Sequence, residues 1–230
     1  LLAFISKYNK SKLRDDAMYA LGNVYVKAGK TDEAMQIYDL LNSEYKGSVF
    51  VRKALLRQGL VHYNASENER AINKFKRVAG DFPGTPEANQ AVATARLIYI
   101  DLGRVNDYAT WVKTLDYVEV TDADLDNATY EAAEKKYLGN NTDDAIRQFN
   151  GYLNEFPNGL HAIQSHFYVA QLYFKKDLKD NAVPHFKYVI KAVQSEFTEE
   201  ALLRLAQIYT ERKNWADAIP VLLRLETDAS

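Results

Sequence analysis

One spacing constrains this chain more than any other property. A small residue is followed four places later by an aromatic or large apolar one at Ala34 and Tyr38, Ala71 and Phe75, Ala145 and Phe149, Ala182 and Phe186, and Ala218 and Leu222. Tyr108 with Val112 fills the interval in the middle, so the markers advance by 37, 37, 37, 37 and 36 residues. The stretch from Phe50 to Pro86 is the clearest copy. A unit of this length cannot bury its own apolar face. Copies have to stack on one another and share a core.

Within a unit, positions that precede the marker repeat as well: Leu21-Gly22 with Tyr25, Val169-Ala170 with Tyr173, and Leu205-Ala206 with Tyr209. On a helix these residues share a face. A small residue where two helices cross lets the backbones approach, and a large residue beside it fills the hole. Each unit is therefore two antiparallel helices, and the predicted fold class is all-α. The units read as a partial 1–11, then 12–48, 49–85, a degenerate 86–122, 123–159, 160–196 and 197–230. Leu1 to Tyr8 aligns with Tyr38 to Tyr45, which predicts that the sequence opens inside the second helix of an earlier unit and belongs to a longer protein.

Met18-x2-Leu21-Gly22-x2-Tyr25 followed by Ala34-x3-Tyr38 resembles the tetratricopeptide consensus, with Met18 where that family usually has Trp. Its Pro is matched by Pro83 and Pro157, each preceded by Phe, and replaced by Lys46 in the first unit. The period departs from the family's usual length of about 34 residues. The extra residues follow the Pro and are expected to lengthen the start of the next first helix. Long units with a Phe-Pro ending resemble those of bacterial envelope proteins of the outer-membrane assembly lipoprotein and Tol-Pal coordinator type.

The resemblance implies a single solenoid, a right-handed α-α superhelix, whose concave face holds a protein or peptide partner. It also implies a periplasmic or cell-envelope location, with the cytoplasm as the alternative. The residues implied on the concave face are Lys53, Leu56, Leu60 and Tyr63, then Leu97 with Ile100, then Tyr130 and Tyr137, then Phe167, Gln171 and Phe174 with Tyr168 beside them. Such an aromatic row reads either as a binding surface or as side chains packed on neighbouring helices. Lys53 and Arg57 resemble half of a two-cation clamp for a terminal carboxylate, although the family's partnering Asn is Ala20 here, with Asn23 nearby. A solvated charged face is the competing reading.

Composition narrows the function classes. The net charge of −2 leaves no electrostatic footprint for a phosphate backbone, which counts against an RNA-binding helical repeat. Cysteine is absent, which removes disulfides and thiolate chemistry. No apolar run reaches the roughly 18 residues of a membrane span. There is no Gly-rich phosphate loop and no G-x-S-x-G elbow, so the chain reads as a non-catalytic scaffold without cofactor. The enzymatic rival, an alpha-alpha toroid, requires the units to close into a ring around converging acids. Self-association is a further alternative.

Two motifs invite a metal reading. Asp122-x-Asp124-x-Asp126 matches the opening of a calcium loop, but Asn127 stands where Gly is needed and Ala133 where a bidentate Glu is needed. Acids gathered ahead of a helix start explain it better. His161 and His166 are five apart and point apart on a helix, and His62 occupies the slot of Tyr25 and Tyr99. His185 adds no tetrahedral set.

Local signals mark the helix ends. Asp15 and Asp16 head a helix, Gly29 suits a left-handed cap, and Thr31 or Asp32 opens the second helix. Ser66 with Glu69 reads as a capping box, and Thr85 as a cap before Pro86. Arg96 takes the small slot of the third unit, with Trp111 beside Val112, so its second helix is expected to pack differently. The acidic connector from Glu119 to Asp126 is expected to bend or shift the stack. Pro184 and Pro220 are expected near the first turn of their helices.

Overall fold

A computed structural model describes residues 1–228, and among them every regular element is helical. After α1 (Leu2–Lys7), the helices pair as α2 (Arg14–Lys27) with α3 (Thr31–Glu44), α4 (Val49–Asn64) with α5 (Asn68–Asp81), and α6 (Pro86–Leu102) with α7 (Val105–Val112). They continue as α8 (Asp122–Leu138) with α9 (Thr142–Glu155), α10 (Ala162–Lys175) with α11 (Lys179–Lys191), and α12 (Thr198–Glu211) with α13 (Trp215–Asp228). Two compact units result, one of residues 1–99 with 106–120, the other of residues 100–105 with 121 onward. First helices α4, α6 and α8 run 16, 17 and 17 residues, whereas α2, α10 and α12 run 14, so the expected lengthening is confined to three of them.

Every hairpin turn puts a left-handed residue at the same place, and five of the six show the same closure. Gly29, Ser66, Gly103, Asn140, Asp177 and Lys213, each five residues before a marker, have φ between 56° and 72°. The following N–H reaches back over the helix end, Lys30 to the Tyr25 carbonyl, Glu67 to His62, Asn141 to Lys136, Leu178 to Tyr173 and Asn214 to Tyr209, at 2.8–3.0 Å. This closure satisfies carbonyls that the helix end leaves open. It corrects one expectation: Ser66 is the left-handed turn residue and forms no capping box. Glu67 precedes α5 without a side-chain cap and instead meets His62 Nδ1 at 2.6 Å.

The cap at Thr85 does form, its Oγ1 accepting from the Ala88 N–H at 3.2 Å, with Pro86 first in α6. Thr121 and Asp124 make a full capping box at α8. Pro184 and Pro220 need a second correction. Each is the sixth residue of its helix, past the first turn, where its missing N–H removes an intrahelical bond.

In the first unit the marker rings rest directly on backbone. Tyr38 and Phe75 are fully buried, and a Cβ added at Gly59 would lie 2.5 Å from the Phe75 ring; one at Gly22 would overlap Tyr38. Burying such rings contributes about 1.5–3 kcal/mol each. Between them Gln58, fully buried, donates to Asp39 Oδ1 at 2.7 Å and accepts from Lys74 Nζ at 2.9 Å, linking α3, α4 and α5. The third hairpin packs differently, as expected. Its α7 has eight residues, Tyr99 meets Tyr108 and Trp111 at 6.0 and 6.3 Å, and Tyr117 beyond the helix donates to the Ala79 carbonyl at 3.0 Å.

In the second unit Phe149 and Phe186 are fully buried as markers, and Ala133 and Ala170 take the small slot. Asp126, buried in α8, accepts from Tyr152 Oη at 2.6 Å and from the Leu160 N–H at 2.7 Å. It thereby fastens the turn between α9 and α10. The last marker departs from the pattern: Leu222 is 43% exposed and Val221 is buried in its stead. Earlier marker rings lie between their own hairpin and the following first helix, whereas α13 packs on α12 alone among the described elements with substantial contact. No helix among the described residues is long and apolar enough to cross a membrane.

Candidate functional site

The residues implied on the inner face sort by their slot in the repeat. Tyr130 and Phe167 share the slot of Leu56, and all three are buried, at 5%, 6% and 7% exposure. The reason lies in the next hairpin, since this slot points at the start of the following first helix. Tyr19 meets Phe50 at 5.4 Å, Tyr130 stacks on His161 at 4.1 Å, and Phe167 meets Phe197 at 4.8 Å. These side chains are core, which is the packing alternative. Slots four and seven residues further on stay accessible at Leu60, Leu97 and Gln171, then at Tyr63, Tyr137 and Phe174, but Ile100, in the slot of Tyr63, is buried at 6% exposure and is core, contrary to expectation.

In the first unit a cavity of about 290 Å³ is lined by Tyr19 of α2, by Lys53, Leu56, Arg57 and Leu60 of α4, and by Glu87 and Gln90 of α6. Three consecutive first helices therefore contribute. The Lys53 ammonium lies 5.5 Å over the Phe50 ring, and Arg57 is exposed. Glu87 is engaged by Arg52 at 3.0 Å, which leaves the cavity with a cationic wall. The clamp stays half-built, because Asn23 accepts from the buried Tyr38 hydroxyl at 2.8 Å, and burial pushes that hydroxyl well above its usual range. Tyr63 is half-buried against the core, and Leu97, 48% exposed, lies outside this cavity.

In the second unit a cavity of about 570 Å³ is again lined from three first helices: Tyr137 and Leu138 of α8, Gln171, Leu172, Phe174 and Lys175 of α10, and Arg204 of α12, with Asn140 and Thr142 at the α8–α9 turn. Tyr137 stacks on Tyr168 at 4.5 Å, and burial raises its hydroxyl. The Phe174 ring carries the Arg204 guanidinium at 5.1 Å and Lys179 at 5.9 Å. Glu200 holds Arg204 at 3.1 Å. Sequence reasoning missed Arg204, yet the signal was present: three periods beyond Arg57 is Tyr168, and one further is Arg204.

The metal candidates resolve into structure. Asp122 is exposed, Asp124 caps α8 and Asp126 faces inward, so the three acids do not converge. His161 Nε2 meets Asn127 Oδ1 at 2.7 Å. His166 and His185, which no motif or spacing linked in advance, meet through their Nδ1 atoms at 2.8 Å. Among the described residues no group of three or more His, Asp or Glu is placed to hold an ion.

Comparison with known proteins bears on the same architecture. A tetratricopeptide repeat family model matches residues 16–48 and 53–85, and a second model of that description matches residues 170–230. The outer membrane protein assembly factor BamD of Caulobacter vibrioides is 22% identical over 210 residues, covering 84% of this chain. The chain spans 59% of that relative's length. Among solved structures, a tetratricopeptide repeat protein from Parabacteroides merdae aligns over 97% of this chain and 82% of its own at 18% identity, with a TM-score of 0.41. Pseudomonas aeruginosa pilF aligns over 93% and 90% at 13% identity, with a TM-score of 0.40. Hairpins of this period, with small-residue crossings and matched motifs over more than half the sequence, leave one assignment: the chain belongs to the tetratricopeptide repeat family.

Proposed function

We propose that this chain is a non-catalytic scaffold that holds a segment of a partner protein along its first helices, in the bacterial cell envelope. The observation that carries the reading is the recurrence of one cavity plan. In each unit three successive first helices line an open groove, and each groove exposes apolar surface beside cations, through Leu60 with Lys53 and Arg57 in one and Tyr137 and Phe174 with Lys175 in the other. A preformed groove costs little ordering on the scaffold's side, so affinity concentrates in a few anchors. Tyr137 and Phe174 are those anchors in the second unit; Tyr130 and Phe167 support them from the core. The envelope location draws on the likeness to the Caulobacter assembly factor.

A photo-crosslinking amino acid placed at Gln171 tests this in cells, with the same group at the exposed Arg147 of α9 as the control. The expected result is a discrete protein adduct from position 171 alone, lost on Phe174→Ala. Equal labelling from both positions refutes the groove.

A further inference from the structure

The second unit contains a pair of imidazoles that the groove does not use. His166 of α10 and His185 of α11 face each other through Nδ1 at 2.8 Å, with ring centroids 4.9 Å apart. His166 stacks on Tyr188 at 3.8 Å, and the Tyr188 hydroxyl donates to the Pro157 carbonyl at 3.2 Å. His185 lies 6.0 Å from Tyr173, whose hydroxyl accepts from Asn150 of α9 at 3.4 Å. The cluster thus joins α10, α11, α9 and the turn before α10. We propose that the His166–His185 contact is an acid-responsive latch on the α10–α11 hairpin, closed at neutral pH and released as the pair takes up protons.

The hydrogen bond sets the proton count. One imidazole donates its Nδ1–H and the other accepts at a bare Nδ1, so the closed pair holds when both rings are neutral and tolerates a single added proton at an outer nitrogen. A second added proton puts two N–H groups face to face and breaks the contact. No carboxylate among the described residues pairs with either imidazole to offset that charge. Among the described residues the neighbours offered are Tyr188 of α11, Tyr173 of α10 and Asn150 of α9, and neither imidazole forms an ion pair. Lys187, the charged residue of α11 closest in sequence to His185, lies over the Tyr209 ring of α12 at 5.7 Å.

Burial lowers both imidazoles, and the repulsion of His185 lowers His166 further, to about 4. The ordinary value in an opened hairpin is about 6.5. The closed form therefore binds fewer protons than the open form between these values. Its stability is complete above about pH 6.5 and falls as the pH drops toward 4. For His166 alone this linkage raises the opening constant about 30-fold between pH 8 and pH 5. Because α10 also carries Gln171 and Phe174, release would disturb the groove wall, a consequence that rests on the binding role proposed above.

Amide hydrogen exchange of the whole chain at pH 7.5 and pH 5.0, corrected for intrinsic rates, reads the latch without any partner. The expected result is an acid loss of protection of at least about 30-fold confined to α10 and α11, with α4 and α5 as the internal reference. In the double variant His166→Asn with His185→Asn the ratio of protection between the two hairpins should no longer change with pH. An unchanged ratio in the natural chain, or an acid step retained in the variant, overturns the latch. Should the variant fold poorly, imidazole NMR titration of the natural chain decides: depressed titration of His166 supports the latch, and both rings titrating near 6.5 overturns it. The crosslink at position 171 reports the groove separately.

Discussion

The two units solve the same packing problem with different chemistry. In the first, glycines at positions 22 and 59 let the Tyr38 and Phe75 rings lie on the backbone itself, whereas the second places Ala133 and Ala170 there beneath Phe149 and Phe186. Both units also put an acid in the same slot of a first helix. Asp15 accepts from the Ser48 hydroxyl at 2.6 Å in a half-buried site, while Asp126, three periods on, is buried under Tyr152 and the Leu160 N–H. The lesson is that a repeat keeps where a contact is made and leaves open how costly its loss will be. The grooves differ in the same way, one smaller and cationic, the other larger and aromatic.

Matched substitutions test that difference, and the acids give the largest effect. Asp126→Ala strands a buried hydroxyl and a backbone N–H and is expected to cost about 3 kcal/mol, against about 1 kcal/mol or less for Asp15→Ala, by denaturant midpoint. Equal losses would break the comparison. Next come the crossings. Gly59→Ala drives a Cβ into the Phe75 ring and is expected to destabilise by about 2 kcal/mol despite its better helix propensity, whereas Ala170→Gly should cost about 1 kcal/mol. A neutral or stabilising Gly59→Ala would show that the ring can move aside.

The grooves supply smaller effects. Once a partner segment is in hand, Phe174→Ala is expected to weaken binding about tenfold with little dependence on salt. Lys53→Ala with Arg57→Ala should weaken it by a few-fold, and only at low ionic strength, because exposed charges are screened within about 10 Å at 0.1 M salt. Titration at two salt concentrations separates the outcomes. Salt sensitivity at Phe174 would erase the distinction between the grooves.

Most of the architecture was legible because period and helix face are local properties. Ala34 to Tyr38 and its copies place every hairpin, and only Leu222 escapes burial. What was hidden depended on register against the next hairpin. Leu56, Tyr130 and Phe167 looked as available as Leu60 and Phe174, yet a shift of one turn aims this slot at the start of the following first helix, where His161 meets Tyr130 and Phe197 meets Phe167. Ser66 followed by Glu69 has the letters of a cap, but the chain had already committed Ser66 to a left-handed turn. His166 and His185 stand 19 residues apart, a separation that means nothing until the hairpin folds it shut.

The left-handed turns carry an implication of their own. Gly fills two of the six, while Ser66, Asn140, Asp177 and Lys213 hold the same backbone shape against the preference of their side chains. Such strain amounts to roughly 1 kcal/mol at a residue like Lys213. Since the shape and not the letter defines the corner, every hairpin except α8–α9, whose Asn140 lines a groove, can be slackened or stiffened by a single replacement outside both groove linings. Rigidity in this array is thus adjustable rung by rung, on a scale independent of what the grooves recognise.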